Sequence, residues 1–329
     1  MSARLGCCAD DEPVFVRFGQ PPNIYLRRRA TAVGVLLAVL VAIVLALRSC
    51  GSEPRAGARE QPATPTAVAT LPSGGQRIFP DHRVVAFYGA PQDPELGQLG
   101  IGTPAKAAAR LRRVARPYER KTRPVLLAFE LISSIATAEA GRDGMYRLHQ
   151  SDETIDRYLR AARETKALLV LDIQPGRDDF LSETRRLERW LLEPDVGLAL
   201  DPEWHVGDGE VPGRTIGSVT AGQVNEVSGY LSNLVVKHDL PEKLFVVHQF
   251  TDDMIKERGQ LRARPGIALT LNVDGFGNRA NKISKYNEFT KNTPRFNDGF
   301  KLFYEEDTNL MSPGAVLDLG PPPDLVVYE

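Results

Sequence analysis

Eight short apolar runs separated by helix-prone stretches constrain this chain more than any other feature. The runs are RVVAFYG (83–89), PVLLAFE (124–130), ALLVLDIQ (167–174), VGLALDPE (196–203), KLFVVHQ (243–249), GIALTLNVD (266–274), FKLFYEE (300–306) and DLVVYE (324–329). Between them, residues 103–119, 151–166, 181–193, 220–239 and 278–290 read as helices. Thr103-Pro104, Ser151 with Thr154, and Ser182 before Glu183 supply start signals. Strand–helix alternation implies a parallel sheet with right-handed crossovers. Eight runs in about 250 residues predict an α/β fold of the TIM-like (β/α)8 type. A doubly wound open sheet is the alternative. It has fewer strands, and its Gly-rich phosphate loop is missing after the first run. The helix after the seventh run reads as weak, and none follows the eighth.

In such a barrel the functional groups gather at the carboxyl ends of the strands. Here most runs end in polar residues. Tyr88 closes the first, Glu130 the second, Asp172 and Gln174 the third, and Asp201 and Glu203 the fourth. His248 and Gln249 close the fifth, Asp274 the sixth, and Glu305 and Glu306 the seventh. Alternation along a strand separates inward from outward side chains. Gly197, Ala199, Asp201 and Glu203 share one face, as do Ala268, Thr270, Asn272 and Asp274. Lys301, Phe303 and Glu305 share another, so Glu305 is expected to point inward. Carboxyl groups crowded at one rim raise at least one pKa, the condition a general acid needs. Glu203, Glu305 and Asp201 are therefore the candidate catalytic residues. Tyr88, Glu130, Asp172, Gln174, Trp204, His248 and Asp274 are the candidate substrate-binding residues. The structural reading of each acid is a helix cap or a turn; Asp172 before Gln174-Pro175-Gly176 suits a turn.

Other chemistries lack their signatures. No Gly-x-Ser-x-Gly elbow is present. Asp274-Gly275-Phe276-Gly277-Asn278 lacks the third glycine of a nucleotide loop. Asp172, Glu203, His205 and His248 show no metal-ligand spacing, so no metal and no cofactor is assigned. The chain has 41 Lys+Arg against 42 Asp+Glu, a formal net charge of -1 that gives no electrostatic footprint for nucleic acid. Its three cysteines all lie at or before Cys50, which excludes a disulfide-stapled scaffold.

The N-terminal part reads differently. Ala30–Leu47 is uncharged and apolar for about 18 residues, which as a helix rises roughly 27 Å, close to the bilayer core. Arg27, Arg28 and Arg29 precede it, so residues 1–29 are expected in the cytoplasm. Residues 30–48 are then a single transmembrane helix in contact with the lipid bilayer. Residues 49–77, rich in Pro, Ala, Thr and Gly, read as a disordered stalk. Residues 78–329 form the barrel domain, outside the cell membrane. A cleaved signal peptide and a lipoprotein modified at Cys50 are the alternatives.

Leu200-Asp201-Pro202-Glu203-Trp204 resembles the end of the fourth-strand Asp-x-Glu signature of chitinase-like glycoside hydrolases. The resemblance implies a proton-donor role for Glu203. Val196 and Ala199 replace the earlier aspartates of that signature. A longer set of stretches resembles a family of bacterial secreted or lipoprotein-like proteins with a glycosidase-like barrel. It includes Phe87-Tyr88-Gly89-Ala90-Pro91, LDIQPGRDD, LALDPEW, VPGRTIGSV, VVHQFT, DGFG and GFKLFYEED. That resemblance spans about residues 83–329 and implies an extracytoplasmic setting but no established reaction. The functional expectation is a membrane-anchored, glycoside-hydrolase-like protein acting on a cell-wall or extracellular glycan. The alternatives are a non-catalytic glycan- or wall-binding barrel, and a metal-dependent phosphodiesterase or deacetylase.

Overall fold

The computed structural model describes residues 68–291 and 296–329. All eight predicted runs are strands: β1 (Arg83–Gly89), β2 (Val125–Ala136), β3 (Leu168–Ile173), β4 (Val196–Leu200), β5 (Lys243–Gln249), β6 (Ile267–Val273), β7 (Asn297–Leu302) and β8 (Leu325–Tyr328). They pair in sequence order and all in parallel. β8 pairs with β1 through Val84–Leu325 and Ala86–Val327, which closes the barrel. A short antiparallel strand, Arg147–His149, extends the top of β2.

The connecting helices are α1 (Pro104–Ala115), α2 (Asp152–Thr165), α3 (Phe180–Arg186), α4 (Glu188–Leu191), α5 (Ala221–Lys237), α6 (Arg279–Thr290) and α7 (Pro313–Leu317). Thr103 caps α1 by accepting from the Lys106 amide at 3.3 Å. Ser151 caps α2 through the Thr154 amide at 3.2 Å. Lys166 ends α2 in the left-handed region, with φ 57°. The start of α3 differs from expectation. Asp179, not Ser182, is its cap, and Ser182 is the residue whose amide it accepts, at 2.9 Å. No α-helix joins β5 to β6. Short 3-10 turns do so, and a two-residue parallel pair, Val219–Thr220 with Ile255–Lys256, ties this connection to the one before α5.

Two apolar layers follow from strand alternation. Outward residues such as Phe87, Phe129, Leu169, Leu198 and Val247 pack on the helices with Leu111, Ile155 and Val227. Inward residues fill the barrel: Val84, Ala86, Leu126, Ala128, Val170, Ala199, Val246 and Val327. Small residues are required there. A Cβ on Gly197 would lie 2.6 Å from the Leu244 carbonyl oxygen. The amino-terminal mouth is plugged from outside the barrel strands. Leu71, 2% exposed, joins Ile78 and Phe79 in the inner layer. The Glu242 carboxylate accepts from the amides of Ile78 (2.6 Å) and Phe79 (3.1 Å). This revises the expected stalk: residues 68–77 belong to the folded unit. The rest of the stalk, the tail at 1–29 and the proposed membrane segment at 30–48 lie outside the described residues. No helix among the described residues is long and apolar enough to cross a membrane.

Candidate active site

The carboxyl end of the barrel opens into a cavity of about 470 Å³. Its polar groups are set by strand register. Tyr88 and Glu130 are partners across β1 and β2, and both are buried. Asp172 follows Val170 on the inner face of β3, and Asp201, just past the end of β4, follows inward Ala199. His248 and Asn272 are partners across β5 and β6. Lys301 lies on β7, and Glu329, just past the end of β8, follows inward Val327.

A continuous polar network results. His248 sits between two carboxylates, with Nδ1 2.9 Å from Asp274 and Nε2 2.9 Å from Glu130. Asn272 Nδ2 lies 3.2 Å from the same Nδ1. Lys301 donates to Asp274 at 3.2 Å and pairs with Glu329 at 2.7 Å. Its ammonium lies 3.7 Å from the centre of the Tyr88 ring. The Tyr88 hydroxyl donates to Asp172 at 3.2 Å and accepts from Gln174 at 3.0 Å. Gln174 is itself fixed by the Ala136 amide, at 3.1 Å.

Burial and neighbours divide the titrating groups. Burial raises the Asp172 carboxyl well above the usual range, and Asp201 adds to this. Burial also raises Asp201. It raises the Tyr88 phenol, with Asp172 and Asp201 contributing. Glu203 is pushed up to about 8 by burial, then by Asp201 and Asp274. Asp274 moves the other way. Burial opposes its charge, but Lys301 and His248 outweigh it and hold the carboxylate well below the ordinary range. Burial likewise pulls His248 and Lys301 down, and their carboxylate partners more than restore both. The mouth therefore holds a proton-bearing carboxyl and an ionised one in a single cavity.

Of the residues expected at the site, Tyr88, Gln174, Asp201, Glu203, Trp204 and Asp274 line the cavity. Glu130, Asp172 and His248 are fully buried and support it without lining it. Glu305 is misplaced by the expectation. β7 stops at Leu302, and the chain turns at once. Asp307 accepts from the Phe303 amide at 3.0 Å and pairs with Lys282 of α6 at 3.0 Å, which closes that turn. Glu305 is left exposed on it, outside the cavity, and Glu306 reaches the rim instead. Strand four also ends early. Pro202 has no amide for the ladder, and Pro202–Trp204 forms a 3-10 turn that takes Glu203 out of the strand.

Lys301 and Glu329 are not among the expected site residues, although Lys301 shares the face of Phe303 and Glu329 shares that of Val327. Phe250, Phe276 and Phe303 supply aromatic wall. Phe250 and Phe276 lie on loops, where no periodicity identifies them. The ligand-bearing atoms of Glu130, Asp172 and His248 lie within 4.8 Å of one another. The Asp172 Oδ1 atom is buried and has no hydrogen-bond partner. Yet both ring nitrogens of His248 are committed to carboxylates. A cation at this point would have to replace the proton that His248 shares with Glu130, so the donor set does not fit a metal as it stands. No protein-family model matches the chain, and no curated protein matches it.

Proposed function

We propose that this chain is a glycoside-hydrolase-like enzyme with Glu203 as its general acid. The observation that carries the reading is the division of two carboxyl groups in one cavity. Glu203 keeps its proton at neutral pH, while Asp274 is held ionised. Environments that push two titrating groups apart are how one site supplies both an acid and a base. Glycosidic cleavage needs that combination: one carboxyl protonates the leaving oxygen, the other attacks or activates water. Trp204 and the phenylalanine wall offer flat apolar faces for sugar rings. Asp201, two residues before Glu203, raises its proton affinity and serves as a positioning group. On this reading residues 30–48 tether the barrel to a membrane, and the substrate is a cell-wall or extracellular glycan.

The test is turnover of a glycan and wall-fragment panel by the wild-type chain and by Glu203→Gln. The variant keeps the shape and loses the proton. Turnover is expected to fall about 10²–10⁴-fold with binding nearly unchanged. The wild-type rate is expected to decline as pH rises through about 8, as Glu203 loses its proton. Glycan binding without turnover in either protein would replace this reading by a binding barrel. Loss of activity to a chelator would favour metal-dependent hydrolysis.

A further inference from the structure

The cavity lining is asymmetric in charge. It contains six carboxyl groups, those of Glu95, Asp201, Glu203, Asp274, Glu306 and Glu329, against two ammonium groups, those of Lys285 and Lys301. Among the described residues, only Lys301 of the two is paired with carboxylates. Lys301 is shared between Asp274 and Glu329. Lys285 donates to the Phe250 carbonyl and lies 5.9 Å from the centres of the Phe250 and Phe289 rings. Among the described residues, no cation stands within ion-pair distance of Glu95, Asp201, Glu203 or Glu306. No arginine lines the cavity.

The walls reinforce this bias. Tyr88, Trp204, Phe250, Phe276 and Phe303 present ring surfaces around the acidic floor and rim. Phe276, 67% exposed, meets Phe303 edge-to-face at 6.0 Å between ring centres. Aromatic faces attract cations through the negative face of the ring. A recess that is enclosed on one side lowers the local dielectric and concentrates the field of its charges. A ligand carboxylate or phosphate entering at the rim would meet the unpaired acids Glu95 and Glu306, with Lys285 the one lysine of the lining that no described carboxylate pairs. A protonated amine would meet the rim carboxylates and the rings of Trp204 and Phe276, since lysines already stand over Tyr88, Phe250 and Phe303.

We propose that this cavity selects a cationic glycan, one whose sugar units carry free amino groups, over neutral and anionic glycans. The proposal rests on the reading of the mouth as a glycan site and adds the charge class of the ligand. The amine is placed at the rim acids, Glu95 and Glu306, and at the ring faces. Glu203 is thereby left to carry its proton.

The experiment is calorimetric titration of the full chain with oligomers of glucosamine, N-acetylglucosamine and galacturonic acid of matched length, and with spermidine as a cation that is not a sugar. The glucosamine oligomer is expected to bind at least about tenfold more tightly than the acetylated one, and the uronate not at all. Its affinity is expected to weaken as salt rises from about 50 to about 500 mM. The double variant Glu95→Gln, Glu306→Gln is expected to lose most of that preference while keeping the acetylated oligomer's affinity. Acetylated or uronate oligomers binding as well as glucosamine would overturn the charge selectivity and leave the glycan site standing. So would an unchanged preference in the double variant. Spermidine binding with no oligosaccharide bound would retain the cation site and remove the glycan reading. No binding by any of the four would remove both.

Discussion

Glu203 keeps its proton because its surroundings withhold what a carboxylate needs. It is partly buried, the carboxyls of Asp201 and Asp274 oppose its charge, and Lys301, which would favour it, is spent on Asp274 and Glu329. The same balance links the residue to stability. Glu203 has an ordinary value of 4.5 and rises to about 8 in the folded state. Between those limits the folded chain binds more protons at this position than the unfolded chain does. Its contribution is therefore fully present below about pH 4.5 and is lost as pH rises through about 8. Urea unfolding of the wild type and of Glu203→Gln across pH 5 to 9 would read this difference. The variant is expected to gain relative to wild type with rising pH, by on the order of 2 kcal/mol at the alkaline end. Parallel pH profiles for the two proteins would show that Glu203 is solvated enough to ionise normally.

At the scale of elements, alternation along the strands does most of the work, and it explains what was legible. The inward row Gly197, Ala199, Asp201 can be read from sequence because a period of two needs no knowledge of partners. The same row shows how tightly the strands close. Gly197→Ala brings a Cβ against the Leu244 backbone oxygen at 2.6 Å, so β4 and β5 must separate. A loss of about 1–3 kcal/mol in unfolding free energy is expected. Gly259→Ala, with no atom within 4 Å, is the matched control and should stay within about 0.5 kcal/mol of wild type. Strand ends were the illegible part. Pro202 marks one end directly, by its missing amide. The end of β7 depends on Asp307 meeting Lys282 from the preceding helix, a contact that local sequence does not contain. Extending the strand pattern past Leu302 therefore sends Glu305 inward, while the real chain turns it to solvent. Lys301 and Glu329 were legible in position. Their pairing was not, because it depends on the register between β7 and β8, which neither strand carries alone.

The whole molecule extends past its strands at the amino-terminal end. The Pro- and Gly-rich composition of residues 49–77 suggests a tether throughout, but Leu71 breaks the pattern as the buried residue of a small turn. The Leu71 carbonyl accepts from the Gly74 amide at 2.8 Å, and the Leu71 amide donates to Gly75 at 3.0 Å. A chain beginning at Val68 is expected to unfold in one cooperative step. A chain beginning at Asp81 lacks Leu71, Ile78 and Phe79 and leaves Glu242 without its two amide donors. It is expected to lose about 3 kcal/mol or more, read as a lower denaturant midpoint. Equal midpoints for the two would show that the plug is dispensable.

The two-residue pairing of Val219–Thr220 with Ile255–Lys256 has a mechanical consequence. One partner ends the loop that carries Glu203 and Trp204. The other lies in the connection that begins with Phe250. Stapled together, the two loops behave as one panel of the cavity wall: the proton donor and the ring surface beside it keep their spacing as the rim fluctuates. Exposed Phe276, on the next loop, carries no such pairing. Amide hydrogen exchange should show the Val219 and Ile255 segments opening together, and later than the loop around Phe276. The proton donor is thus mounted on a cross-braced pair of loops, while its partner Asp274 is held by His248 and Lys301 at the end of β6.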